Sequence, residues 1–259
     1  MKYLKICFIA LVISCNSSSK KAPKMQGAYL MTSQTIDDGT KKTEYTDVKQ
    51  LKIYTDHYVM YTQINAADST SLFGVGSYTS DTSGVTEHII YTSRDSSFDN
   101  SPSTYKLEIT KTADGYNQII SDILIDSTKS KLTEIYQTVG TKDSSILDGV
   151  WRQTRSYEIK GPDTTKYNRT EYKAFKNGYF MFGLTDKDSS RIRTGIGFGT
   201  FSMLGNNKMQ ETDLNSTYPI IAGQTFVIDL GFDGNDNYQQ TIVHPDSSKT
   251  VEFYERLKL

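Results

Sequence analysis

The residues of this 259-residue chain through which chemistry would most readily run are three histidines, a loop rich in side-chain oxygens and a glycine-rich strand. An imidazole can move protons near neutral pH or ligate a metal. His57 follows Asp56 and falls opposite Gly178 when the two halves of the chain are aligned, so it reads as a hairpin tip. His88 sits beside Glu87 on a strand, where neighbours point to opposite faces, and its counterpart is Thr212. His244 precedes Pro245 at a strand end and has no counterpart. The run Asp233-Gly234-Asn235-Asp236-Asn237 carries the alternating oxygens of a calcium loop. It lacks glycine at the sixth position and has His244 where the twelfth-position glutamate belongs, so it reads as a polar hairpin. Gly195-Ile196-Gly197-Phe198-Gly199 is followed by no helix that could aim its N-terminus at a phosphate. There is no Gly-x-Ser-x-Gly elbow, and the two cysteines, Cys7 and Cys15, both stand in the N-terminal segment. These residues define no catalytic group, no metal site and no cofactor site, and the expectation is a protein that is not an enzyme.

A second set is distinguished by recurrence. Tyr61 recurs as Phe182, Tyr78 as Phe201 and Glu87 as Glu211. Rings and one carboxylate turned inward would suit a small apolar or amphipathic ligand. The same residues could equally fill a core, with the glutamates closing a local hydrogen-bond network. Alternation does not separate the two readings, because tyrosine and threonine occupy both faces of the strands.

The elements that must position these side chains come from an internal repeat of about 120 residues, which is a domain duplication rather than a solenoid period. Gly27-Ala28-Tyr29 recurs as Gly149-Val150-Trp151. Lys52-Ile53-Tyr54 recurs as Lys173-Ala174-Phe175, and Glu134-Ile135-Tyr136 as Glu252-Phe253-Tyr254. Within each copy, short runs of Tyr, Thr, Ile and Val alternate with polar residues and end on turn residues, the signature of half-buried strands. Asn177-Gly178 is the strongest turn, since a type I′ hairpin needs positive φ at both positions. The first copy yields about eight strands, and the second repeats the count. Eight antiparallel strands joined by local turns can close on themselves and remove both edges. The expected fold is therefore all-β, two tandem eight-stranded up-and-down barrels, with a sandwich as the other arrangement such strands allow.

Leu147-Asp148-Gly149-Val150-Trp151 resembles the Gly-x-Trp opening of lipocalins, and Arg256 stands near the end of the same copy. That resemblance implies a lipocalin-like barrel in which Arg256 packs across Trp151 and closes the base, a cation–π contact worth about 0.5–2 kcal/mol. The first copy departs from the pattern, with Tyr29 for the tryptophan and Thr138 for the arginine, so its closure must be made another way.

The N-terminus carries an address. Lys2 and Lys5 precede an apolar run over 6–14, too short to span a bilayer and of the length of an export signal. The run ends in Leu11-Val12-Ile13-Ser14-Cys15, which resembles the lipobox of bacterial lipoproteins, and the resemblance implies acylation of Cys15. The expected organisation is a signal peptide over 1–14, a lipidated tether over 15–24, one barrel over 25–139, a linker over 140–146 and a second barrel over 147–259. With 29 basic against 30 acidic side chains there is no positive excess to neutralise phosphates, which argues against nucleic acid. The sequence thus points to a lipid-anchored lipoprotein of the bacterial envelope, at the outer membrane, with its periplasmic or surface face open. Two functions remain: a barrel holding a small apolar ligand, or a non-enzymatic module with filled barrels that docks another envelope protein.

Overall fold

A computed structural model describes residues 21–66, 69–93, 103–125, 127–141, 143–187 and 192–258. The first sheet holds β1 (Gly27–Asp37), β2 (Lys42–Tyr45), β3 (Val48–Tyr54), β4 (Tyr58–Asn65), β5 (Thr70–Asp81), β6 (Gly84–Thr92), β7 (Ser103–Lys111), β8 (Gly115–Ile125) and β9 (Thr128–Val139). The second holds β10 (Gly149–Lys160), β11 (Asp163–Lys166), β12 (Arg169–Lys176), β13 (Tyr179–Lys187), β14 (Ile192–Met203), β15 (Lys208–Ser216), β16 (Thr225–Asp233), β17 (Asn237–Val243) and β18 (Lys249–Arg256). Every pairing is antiparallel, and β1 closes on β9 as β10 closes on β18. The result is two closed barrels in tandem, with no helix among the described residues.

Each sheet counts nine strands because one of its eight staves is broken. β2 and β3 both pair with β1, at its far and near ends, and the break falls at Thr46-Asp47. The second barrel repeats the interruption between β11 and β12. Bulges occur at matching places, after Met31 and after Gln153 in the opening strands. Asn177 and Gly178 take φ of +56° and +76°, the conformation a two-residue hairpin requires.

The alternation of side chains yields three cores from two barrels. Inside the first barrel lie Met25, Tyr29, Tyr54, Val59, Val85, Ile89, Tyr116 and Tyr136, and inside the second Leu147, Trp151, Phe175, Phe180, Met209, Ile228, Tyr238 and Tyr254. The third core lies between the barrels. Leu51, Ile53, Met60, Phe73 and Val75 point out of the first barrel and pack against Tyr172, Ala174, Met181, Ile196 and Phe198 pointing out of the second. Most of these side chains are fully buried, and burying one Met, Ile or Phe stabilises by about 1.5–3 kcal/mol. Such a seam outweighs the short connection in holding the halves together. That connection is itself held: Thr141 N donates to the carbonyl of Asn177 at 2.9 Å. Gly140 has φ of +83°, and a Cβ there would stand 1.9 Å from the same oxygen.

Candidate functional site

The interior of each barrel is crossed by a polar network. In β3 the inward residues are Gln50, Lys52 and Tyr54, while Leu51 and Ile53 face the seam. Lys52 Nζ donates to Glu87 Oε1 and to Gln118 Oε1, both at 3.1 Å, and the Tyr54 hydroxyl donates to Glu87. Gln118 Nε2 passes the chain on to Glu134 at 2.7 Å, which also accepts from Tyr136 at 2.8 Å and Gln34 at 3.0 Å. Lys52 and Glu87 each keep only 4% of their side-chain surface exposed. A buried ion pair of this kind is tolerated only when its remaining donors and acceptors are satisfied. Here Gln118 and Tyr54 do that.

The second barrel repeats the frame and adds charge to it. Lys173 Nζ donates to Glu211 at 2.9 Å and Gln240 at 3.2 Å, and Gln240 donates to Glu252. Where the first barrel has Gln50 and Val48, the second has Glu171 and Arg169. The extra carboxylate arrives with its own cation: Arg169 pairs with Glu252 and, at 3.2 Å, with Glu171. Tyr254 donates to Glu171 Oε1 at 2.7 Å and Gln153 to Glu171 Oε2 at 2.9 Å. Burial alone would lower the Lys173 ammonium, but Glu211, Glu252 and Glu171 outweigh it and hold that charge firmly. Burial and the neighbouring Glu252 push Glu171 up to about 7, against the pull of Arg169 and Lys173. Asp213, where the first barrel has Ile89, is pushed up to about 7 by burial and by Glu211, and its Oδ1 has no hydrogen-bond partner.

The recurring aromatic and carboxylate residues singled out from the sequence belong to these interiors. Glu87 and Glu211 are the carboxylates of the two ion pairs. Tyr61 lies against Lys52, 5.8 Å from its ring centre, and Phe182 against Gly197. Tyr78 meets Tyr54 edge-on and donates to the carbonyl of Thr55 at 2.8 Å; Phe201 meets Phe175 edge-on. The structure thus brings Tyr61, Tyr78 and Glu87 into one interior and Phe182, Phe201 and Glu211 into the other. Cys15 lies outside the described residues. Of the histidines, His57 is exposed in the β3–β4 turn, His88 meets Thr104 and His244 meets Thr250. Among the described residues no three His, Cys, Asp or Glu side chains are grouped to hold a metal.

At the end where each barrel begins, a cation covers the opening aromatic. The Arg256 guanidinium stands 4.1 Å from the Trp151 ring centre and donates to the carbonyl of Asp148 at 2.7 Å. A Cβ at Gly149, whose φ is +148°, would stand 2.2 Å from Arg256 Nη1. In the first barrel Thr138 occupies the place of Arg256, and Lys111 reaches over Tyr29 at 5.4 Å and Tyr116 at 5.3 Å. The ladder places Phe232 opposite Lys111 in the repeat, so the two barrels draw the covering cation from different strands.

Missing from the sequence-derived set are Lys52, Lys173, Gln118, Gln240, Glu134 and Glu252. Their signal is a lysine, a glutamine and a glutamate that each recur at a fixed place within apolar strands of both copies.

No family model and no curated protein matches the chain. Among solved structures it is similar to the isotype 1 transferrin binding protein B from serogroup B Neisseria meningitidis, at 10% identity and a TM-score of 0.27, over 84% of this chain and 60% of that one. The chain thus spans about three fifths of that structure's length. A likeness of this size transfers neither fold nor function.

Proposed function

We propose that this chain is a non-enzymatic lipoprotein of the bacterial envelope, anchored through Cys15, whose barrels are solid and whose outer surface docks another protein. The observation that supports it is the state of the interiors. Glu87 and Glu211, the polar groups a ligand would be expected to use, are each tied to a buried lysine, and glutamine and tyrosine complete the network. A small apolar molecule would have to displace these contacts and leave charges unpaired, at a cost of several kcal/mol. The outer surface offers apolar side chains instead: Ile220 is 84% exposed in the loop after β15, and Leu124 and Val227 also face solvent.

The test is in two arms. Crosslinking in intact envelopes from photoreactive groups at Ile220 or Val227 is expected to capture one protein partner. Native mass spectrometry of purified mature protein is expected to show no retained small molecule. A stoichiometric lipid or metabolite, displaced by substituting Tyr61 or Phe182, would overturn the proposal in favour of the ligand-binding reading. The anchor has its own check, since Cys15→Ser should abolish acylation of the mature N-terminus.

A further inference from the structure

The seam between the barrels is built from the same face used twice. The ladder registers fix which residues correspond. Met60 pairs with Val75 as Met181 pairs with Phe198, and Thr62 pairs with Phe73 as Gly183 pairs with Ile196. On that correspondence Ala28 matches Val150, Leu51 matches Tyr172, Ile53 matches Ala174, Met60 matches Met181, Phe73 matches Ile196 and Val75 matches Phe198. All twelve lie in the single core between the barrels. The strand contacts obey the same rule. β3 packs on its repeat β12, β4 on β13 and β5 on β14, and β4 on β14 is mirrored by β5 on β13; β4 also packs on β10, a contact that β13 and β1 do not match in strength. A surface that meets its own equivalent through mirrored strand contacts has the form of an isologous two-fold interface.

Among the contacts that depart from the symmetry, one is steric. A Cβ added to Gly183 would stand 2.3 Å from Cγ of Phe73, so the phenyl ring occupies the space a side chain would need. By the same correspondence the mirrored position would set Ile196 against Thr62, and both are fully buried. Two first barrels joined through this face would drive each Phe73 into a Thr62. Two second barrels would leave each Gly183 facing Ile196 with a void. Overfilling and cavities both destabilise a close-packed core, and specificity is a difference between the wanted pairing and the unwanted one.

We propose that the seam is a homodimer interface made internal by fusion of two single-barrel subunits, and that Phe73 against Gly183 now restricts it, so that the first barrel accepts the second and refuses a copy of itself.

The full chain tests this without isolating either half beforehand. A protease site inserted between Asp143 and Ser144 allows the folded protein to be cut, and native mass spectrometry then reads which halves stay together. The cut protein is expected to persist as a one-to-one complex with no pair of like halves. Thr62→Gly gives the first barrel both the ring and the space to receive it, so the cut variant should add a dimer of first halves. Separation of the cut wild-type protein into monomers overturns the interface. Like pairs in the wild type, or none in the variant, overturn the restriction. A second readout covers a variant that fails to fold. In the uncut chain, Gly183→Ala should lower the melting temperature by several degrees and should do so far less when Phe73→Ala is also present. Equal shifts in both backgrounds would mean that ring and glycine are not coupled, and the restriction fails.

Discussion

The Trp151 indole is held from both sides of its chemistry: its Nε1 donates to the carbonyl of Leu147 at 2.7 Å, and its face is covered by Arg256. Arg256 in turn spends its donors on the carbonyls of Asp148, Asn235 and Ile146, so one side chain ties the connection before β10 to the turn between β16 and β17. Arg256→Ala should therefore cost about 2–3 kcal/mol, from a cation–π contact and backbone acceptors left to water. Arg256→Lys should recover only part of this, because an ammonium cannot bridge three separated carbonyls in the same plane. Urea unfolding of the two variants checks both statements.

Lys52 and Glu87 should behave as a unit. Lys52→Met leaves a buried carboxylate without its cation and is expected to cost about 3–5 kcal/mol. Adding Glu87→Leu to that variant should restore much of the loss, since an apolar pair replaces an ion pair at little net cost. Additive losses in a double-mutant cycle would show that the two do not depend on each other.

Asp213 gives the second barrel a pH dependence of definite sign. Its folded-state value, pushed up to about 7, lies above the ordinary 3.8. Between those values the folded protein holds a proton that the unfolded chain releases, so the contribution of Asp213 to stability is fullest below about 4 and is lost as pH rises toward 7. Asp213→Asn removes this contribution. The urea midpoint of the variant should vary less than wild type between pH 4 and 8, and should exceed it at pH 8.

The seam predicts that the protein unfolds as one. A core shared by strands of both barrels links their stabilities, so calorimetry should show a single transition whose calorimetric and van't Hoff enthalpies agree. Phe73→Ala should lower that transition, and if the seam is sufficiently weakened it should split into two. Two separate transitions in the wild type would show that each barrel stands alone.

Strands, turns and repeat were legible because they rest on local signals: period-two alternation, Asn177-Gly178, and recurring Gly-x-aromatic openings. Inward and outward faces were not, and the seam explains why. Residues 51 to 54 are buried without interruption, because Leu51 and Ile53 serve the seam while Lys52 and Tyr54 serve the barrel. Alternation is therefore inverted there, with the lysine pointing into the barrel and the aliphatics pointing out of it. A rule that sends charge to water assigns Lys52 to the wrong side. The closing pair in the second barrel was visible from Trp151 and Arg256, but nothing local tied Lys111 to Tyr29, since that contact depends on which strand returns beside which.

Met25 is seated inside the first barrel, and just before it the carbonyl of Pro23 accepts a hydrogen bond from Ser80 at 2.6 Å. The backbone therefore leaves the barrel already stoppered by a side chain and stitched to β5. Traction applied from the N-terminal side would be borne first by that stopper and stitch, and the staves would be loaded only after both had given way.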